Sequence, residues 1–465
     1  MNRYILIADY DIDQVENFND KNNVVVSIPM LQNKKLAYGV GNVLDKLIFD
    51  NIYPSEFGYD LFLLAEMVYL ADTRIARAIH SQDSWTREIT LVVPVSSPGI
   101  WNKQKALIER MLNFLTGDIW KIEFKIRLWV FEDYLVKRTK KITNLKHVRS
   151  TFKDLRTDEY DCATLFSGGM DSLISTINLL EDDKDVLLIS HAGDGFTKKA
   201  QRDITCCLND DYKYCPPTWM DLWLVFPNNL IPDGGEDSNL RSRSFLFFAY
   251  GVFAMSGARN LHELLVPENG LIALNVPLDS TRVGSFSTRT THPFYMDCWN
   301  KLLEGLGTNY SVRNPYWNKT KGEMAAECKN QNELQKTMQL SISCSSIAKS
   351  RYIKGGHINQ CGYCVPCLIR RAAMHKAFGH DVTPYTVESV REMEANSSDG
   401  KGVQLRSFEY AIEKIKRNPS LAKIYIHKTG PLKKDQEYLD ELAGVYRRGL
   451  IEVDQFIQDN KKRNI

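Results

Sequence analysis

Residues 165–175 read LFSGGMDSLIS, an apolar run that breaks into Ser-Gly-Gly, meets an acid and a second serine, and returns to apolar spacing. Upstream, Cys162 to Phe166 (CATLF) is a compact apolar run suited to a buried parallel strand, and Ser172 to Leu180 carries apolar residues at helical spacing. The loop therefore joins a strand to a helix. A Walker loop needs a lysine after its second glycine, and none follows Gly169. A hydrolase elbow needs a serine between two glycines as Gly-x-Ser-x-Gly, and Ser167, preceded by Leu165 and Phe166, is not so placed. What remains is a helix N-terminus, whose first N–H groups lack intrahelical partners and favour an anion. Gly168 and Gly169 let the backbone approach it, Ser167 and Ser172 add hydroxyls, and Asp171 either caps the helix or approaches a magnesium ion. A bare SGG is an ordinary capped turn; SGGMDS is far more specific.

The flanking runs predict a doubly wound α/β sheet. DVLLIS (185–190) is a second strand ending at His191, Gly193 and Asp194, with a helix from about Thr197. DLWLVFP (221–227) is a third, and HELLVPENGLIALN (262–275) holds a fourth with a loop. Ligands of open parallel sheets sit beyond the carboxyl ends of the strands, so His191, Gly193, Glu268 and Asn269 are expected around the same crevice as SGGMDS. For His191, packing in the crevice and contact with an adenine or ribose are equal readings. Arg241 and Arg243 open the apolar helix RSRSFLFFAYGVFAM and are candidates to face phosphates.

Four of the ten cysteines gather near residues 344–367: Cys344, then CGYCVPC, which is Cys361, Cys364 and Cys367. Two-residue gaps allow three thiolates to surround one ion and Cys344 supplies a fourth, the donor set of structural Zn2+. A redox Cys-x-x-Cys or unrelated buried thiols are the minority readings. His357 and His375 read as packing or surface residues.

Across 465 residues the formal net charge is only +2, with 43% hydrophobic and 25% charged residues, which fits two or three domains and gives no electrostatic support for a long nucleic acid. MNRYILIADYDID is too short in its apolar run for a signal peptide, and FLFFAYGVFAM (245–255) is too short to span a bilayer. A cytoplasmic protein without a membrane partner is expected.

SGGMDS after a first parallel strand resembles the PP-loop signature SGGxDS of the ATP pyrophosphatases, which implies ATP with its β and γ phosphates in the loop, transfer of AMP, and release of pyrophosphate. On that resemblance Ser167, Gly168, Gly169, Asp171 and Ser172 are cofactor-binding, with His191 beside them. SISCSSIAKSRYIKGGHINQCGYCVPCLIRR resembles the zinc motif of the QueC (7-cyano-7-deazaguanine synthase) family, with Arg370 and Arg371 at its arginine end and a longer loop after Cys344. NPYWNKTKGEMA resembles the same family's proline, lysine and Glu-led helix, placing Lys321 and Glu323; Arg243 matches an arginine, while Ser244 stands where asparagine is expected. The family implies ATP, Mg2+ and Zn2+ and a 7-deazapurine carboxylate that is adenylated, then captured by ammonia. Asp171, Ser172, Arg243 and Lys321 become the catalytic candidates. One segment departs: the family's SGYPDCR-like stretch is replaced by NVPLDSTRVGSFSTRTTHPFYMD, where Arg282, Arg289, Thr291 and His292 hold a carboxylate or a purine edge or merely line a lid. With Glu268 and Asn269, Arg282 and His292 make the substrate-binding candidates.

Outside the resemblance, residues 1–150 carry strand-like runs (NNVVVSIPM, ITLVVPV, KIEFKIRLWVF) and the helix SEFGYDLFLLAEMVYLADTRIARAI, the pattern of an accessory α/β domain with its own core. VKRTKKITNLKHVR (136–149) reads as a solvated linker to a catalytic domain over 151–395, and amphipathic helices fill 396–465. A QueC-like domain with such an addition resembles the anti-phage Qat and type IV CBASS branch, which admits a protein amine as acceptor. A PP-loop enzyme acting on RNA and a non-catalytic nucleotide-binding scaffold stay open as alternatives.

Overall fold

The computed structural model describes residues 3–11, 16–19, 23–81, 85–143, 152, 155–237, 241–279, 289–345, 347, 359–395 and 400–462. Strands β1 (Arg3–Asp9), β2 (Glu16–Asn19), β3 (Asn23–Pro29), a two-residue hairpin of β4 (Leu31–Gln32) and β5 (Lys35–Leu36), β6 (Glu88–Val95) and β7 (Ile119–Ile126) come first. Five of them form a sheet of order β2-β3-β1-β6-β7, parallel except for the antiparallel edge strand β2. Its central strand, RYILIAD, is an addition to the runs singled out in the sequence. It buries Tyr4, Leu6 and Ala8 on one face, the alternation a half-buried strand requires.

The second sheet holds β8 (Cys162–Leu165), β9 (Val186–His191), β10 (Thr218–Leu222), β11 (Glu263–Leu265) and β12 (Ser311–Arg313). All pairs are parallel and the order is β10-β9-β8-β11-β12. The chain thus builds outward from β8 on one side and returns to start again on the other, so the order reverses between β8 and β11. The loops leaving those two strands therefore run to opposite sides, the position at which open parallel sheets bind ligands. In β9, Val186 and Leu188 face the helices Met170–Leu180 and Gly195–Asp211, while Leu187 and Ile189 join the core on the opposite face. Both faces are covered, which is why the strand is apolar throughout.

Several boundaries differ from expectation. β10 ends at Leu222, because Val225 donates its N–H to Tyr38 O and draws the chain away from the sheet. HELLVPENGLIALN divides into β11 and a short helix, Gly270–Leu274, capped by Asn269, whose side chain accepts from Ile272 N at 3.1 Å. The basic stretch from 136 is helical to Thr143: the helix Phe131–Thr143 has Glu132 and Asp133 in its first turn and Lys140 and Lys141 in its last, the arrangement its dipole favours. Residues 144–149 lie outside the described residues.

Two helices lie back to back between the sheets. Residues 58–73 of Glu56–Arg74 and residues 244–255 of Arg243–Met255 are all buried, as expected of helices enclosed on every side. They meet at Gly58, where a Cβ would stand 2.2 Å from Ser256 Oγ. One apolar core therefore runs from β1 and β6 through both helices to β8 and β9; residues 1–150 do not keep a core to themselves. The C-terminal helices Gly400–Arg417 and Gln436–Lys462 form a second core with Leu271, Leu274 and the helix Val365–Phe378. Among the described residues no helix is long and apolar enough to cross a membrane.

Candidate functional site

The SGGMDS loop stands at the reversal of strand order. Gly168 has φ +77, a left-handed conformation that favours glycine, and a Cβ there would meet Gln201 Cγ at 3.0 Å. Gly169 is extended and serves as N-cap of Met170–Leu180 without a side-chain cap, so the first N–H groups of that helix are left to the crevice. Ser167 Oγ accepts from Gly169 N at 3.2 Å and lies 3.2 Å from Ser172 Oγ, which donates to Gly169 O at 3.0 Å. The two hydroxyls hold the loop open as a rim.

Asp171 does not cap the helix. Its Oδ2 accepts from Asn269 N at 3.2 Å and from Asn269 Nδ2 at 2.8 Å, and its Oδ1 lies 3.0 Å from Lys321 Nζ. Lys321 is buried and stands first in the helix Lys321–Ala326, whose capping box joins Thr320 and Glu323. The cation absent from the loop itself is supplied from this distant element. Glu452 of the last helix fixes the same turn, accepting from Gly322 N at 3.2 Å and from Lys376 Nζ at 2.7 Å.

Glu268 completes an acidic corner. Its backbone is locked by Asn314, which accepts from Glu268 N at 3.2 Å and donates to Glu268 O at 2.7 Å, and its carboxylate accepts from the Thr291 hydroxyl. Burial, reinforced by the charge of Asp171, pushes its carboxyl up to about 7 against the opposing Thr291 hydrogen bond and Lys321 charge. This group exchanges a proton near neutrality.

On the other side of the loop, His191 is buried at the end of β9. Arg243 donates from Nε to His191 Nδ1 at 3.3 Å and from Nη2 to His191 O at 2.8 Å. Burial, with Arg243 beside it, holds the imidazole well below its ordinary pKa, so it is neutral. Because Nδ1 accepts, the proton sits on Nε2. Gln201, fully buried, donates from Nε2 to Phe166 O and Ser167 O at 3.3 Å each and to His191 O at 3.4 Å, tying the ends of β8 and β9 together.

The first layer reaches this corner too. Tyr69 sets its ring edge-on to His191 with centroids 5.3 Å apart, Asp72 Oδ2 accepts from Ser242 N at 2.8 Å just before Arg243, and Arg74 donates to Phe226 O at 2.6 Å. These contacts, like Gln201, carry no local signal in the sequence; they come from packing alone.

Cys344, Cys361, Cys364 and Cys367 are all buried, with sulfurs within 4.8 Å of one another. Cys361 N donates to Cys344 Sγ at 3.4 Å and Cys364 N to Cys361 Sγ at 3.3 Å. Backbone N–H groups aimed at sulfur suit thiolates, and the cluster can hold a metal ion such as zinc. It adjoins the SGGMDS loop: Ile342, two residues before Cys344, donates its N–H to Gly168 O at 2.9 Å. Arg370 is buried beneath that segment, donating to Ser341 Oγ at 2.8 Å and Met338 O at 2.6 Å, while Arg371 donates to Val387 O at 3.1 Å.

Other candidates have structural partners. His292 caps Pro293–Gly305, its Nδ1 accepting from Phe294 N at 3.2 Å and its Nε2 facing Thr429 Oγ1 at 3.1 Å, and burial, with Arg289 nearby, lowers its pKa to about 3. Both ring nitrogens are thus engaged within the protein. Arg289 donates to Phe114 O at 2.8 Å and Arg241 to Thr116 O at 2.7 Å, each at the end of the helix Pro98–Thr116. His375 pairs with Asp459 at 3.0 Å. Arg282 and His357 lie outside the described residues. Asp171, Ser172, Ser167, Gly168, Gly169, Asn269, Glu268 and Lys321 are brought together, with His191 and Arg243 on the adjoining side. No family model matches the chain, and a search of curated proteins finds no match.

Proposed function

We propose that this protein is an ATP-dependent adenylating enzyme of the QueC-like PP-loop kind, acting on the carboxylate of a 7-deazapurine. The observation that carries the proposal is the SGGMDS helix N-terminus at the reversal of strand order with the Lys321 ammonium 3.0 Å from Asp171. A pyrophosphate leaving group requires donors fixed in advance and a cation nearby; both are present. The first-turn N–H groups, Ser167 and Ser172 would bind the β and γ phosphates, and Lys321 would offset charge on the departing group. Arg243 would face the remaining phosphate, held in place by neutral His191. Asp171 is the carboxylate that would hold Mg2+, which supplies Lewis-acid neutralisation of phosphate charge when bound.

In the reaction the substrate carboxylate oxygen attacks the α-phosphorus while the bond to pyrophosphate breaks, leaving an acyl adenylate. An amine then attacks the acyl carbon and AMP departs. The nitrogen loses one proton in that step, and Glu268, with a carboxyl pushed up to about 7, would take it. Ammonia yields an amide, which a second ATP converts to a nitrile; an amine on a partner protein yields a conjugate.

The test incubates purified protein with ATP and 7-carboxy-7-deazaguanine and follows AMP, with ammonium or with proteins encoded beside it. AMP formation that requires the acid, and that falls on the order of 10²- to 10³-fold in Lys321→Ala, supports the proposal. ATP that binds without AMP release under all these conditions would leave a nucleotide-binding scaffold instead.

A further inference from the structure

We infer that Cys207, Asp211 and Glu333 form a second metal site, for a borderline divalent cation such as Zn2+, between two helices that support the anion loop. Cys207 and Asp211 stand one turn apart on Gly195–Asp211, and Glu333 lies in the first turn of the helix Gln331–Thr337. Their ligand atoms lie within 4.8 Å of one another. Cys207 Sγ is 3.7 Å from Asp211 Oδ2, near the roughly 3.5 Å between sulfur and oxygen bound to one tetrahedral zinc at about 2.3 and 2.0 Å.

The independent sign of a ligand is Glu333. Its side chain is enclosed, with the residue 7% exposed, and its Oε1 has no hydrogen-bond partner. A buried carboxylate oxygen without a donor is costly and is normally met by a proton, a water or a cation. Two groups compete with a metal here. Burial and the charge of Asp211 push the Glu333 carboxyl up to about 7, so a proton shared between the two acids would relieve the same crowding, and Lys336 rests its ammonium on Asp211. The thiol decides between them. A shared proton needs no sulfur four residues before the aspartate, whereas zinc takes sulfur and oxygen together. Asp211 is exposed, so water can fill the remaining position, and the long Lys336 side chain, 52% exposed, can swing clear.

The site would tie the two supports of SGGMDS to each other. Gln201, on the helix of Cys207, holds Phe166 O and Ser167 O; the helix of Glu333 runs through Met338–Leu340 to Ile342, which holds Gly168 O.

The experiment is zinc stoichiometry of the full-length protein after equilibrium dialysis against micromolar free Zn2+. Two equivalents are expected, falling to one in Cys207→Ser and in Glu333→Gln, with circular dichroism unchanged. With Co2+ in place of zinc, the parent-minus-Cys207→Ser difference should carry sulfur-to-cobalt charge transfer of about a quarter of the four-thiolate intensity. One equivalent in the parent protein, or a second equivalent that survives both substitutions, overturns the site. Neither readout uses ATP or turnover, so the result is separate from the proposed reaction.

Discussion

The two sheets bury charge in different ways. Beside the first sheet, Asp72 and Asp118 each accept from both Arg77 and Arg87, at 2.6 to 2.7 Å, and these side chains are at most 5% exposed. Burial alone would raise the Asp72 carboxyl, but Arg87 and Arg77 override it and hold it below the ordinary range. Beside the second sheet, Asp171 and Lys321 make a pair at the mouth of a crevice, and neighbouring Glu268 is left with a carboxyl that titrates near 7. Matched charges hold a structure rigid and inert; a pair with one acid left over can bind a third charge and move a proton. The same residue types are fully paired in one layer and leave an acid over in the other.

Lys321→Ala should mark the contrast most sharply. It removes the cation from the anion loop, and AMP formation should fall on the order of 10²- to 10³-fold, as when one preorganised donor is lost. Asp171→Ala should do as much and also leave Lys321 buried without its partner, so a drop in unfolding free energy of about 3 kcal/mol is expected by denaturant titration. Asp171→Asn separates the two effects by keeping an oxygen for Asn269.

Asp72→Ala is the counterpart in the first layer. It leaves two buried guanidinium groups short of an acceptor and frees Ser242 N beside Arg243, and should cost about 3–5 kcal/mol, with turnover in the folded fraction falling less than in Lys321→Ala. If instead turnover vanished while stability held, the distinction between the layers would fail.

Acidity offers a finer cut. Glu66, enclosed in the helix Glu56–Arg74, is pushed by burial from 4.5 to about 8. The unfolded chain releases that proton first, so Glu66 stabilises the fold fully below pH 4.5 and this contribution is lost as pH rises towards 8. Glu66→Gln should flatten thermal stability over that range without altering the pH profile of turnover. Glu268→Gln should do the reverse: amine capture in the parent should rise through about pH 7 as Glu268 deprotonates, and the variant should lose that limb. The smallest effect is expected at His292, where alanine removes a helix cap worth about 1 kcal/mol and should leave AMP formation within two-fold.

What the sequence reveals is chemistry held within a few residues of itself. SGGMDS between an apolar strand and a helix, and CGYCVPC, carry their geometry in their spacing, and the structure brings those side chains together as that spacing requires. Partners set by packing are silent. Arg87 meets Asp72 and Asp118 across 15 and 31 positions, Gln201 meets the ends of two strands, and nothing in SVR marks the edge strand β12. His292 lies beside a polar stretch and reads as a ligand in the sequence; in the structure, with Pro293 behind it, it caps a helix.

The back-to-back helices have a consequence for how the molecule comes apart. A fragment beginning at 151 would keep the SGGMDS loop and the four cysteines but would expose FLFFAYGVFAM, buried along its whole length in the full chain; an apolar face of that size is an aggregation hazard. Cutting on the other side of the boundary would strip the cover from Glu56–Arg74 in the same way. Heating the intact chain should therefore melt both sheets in one cooperative transition.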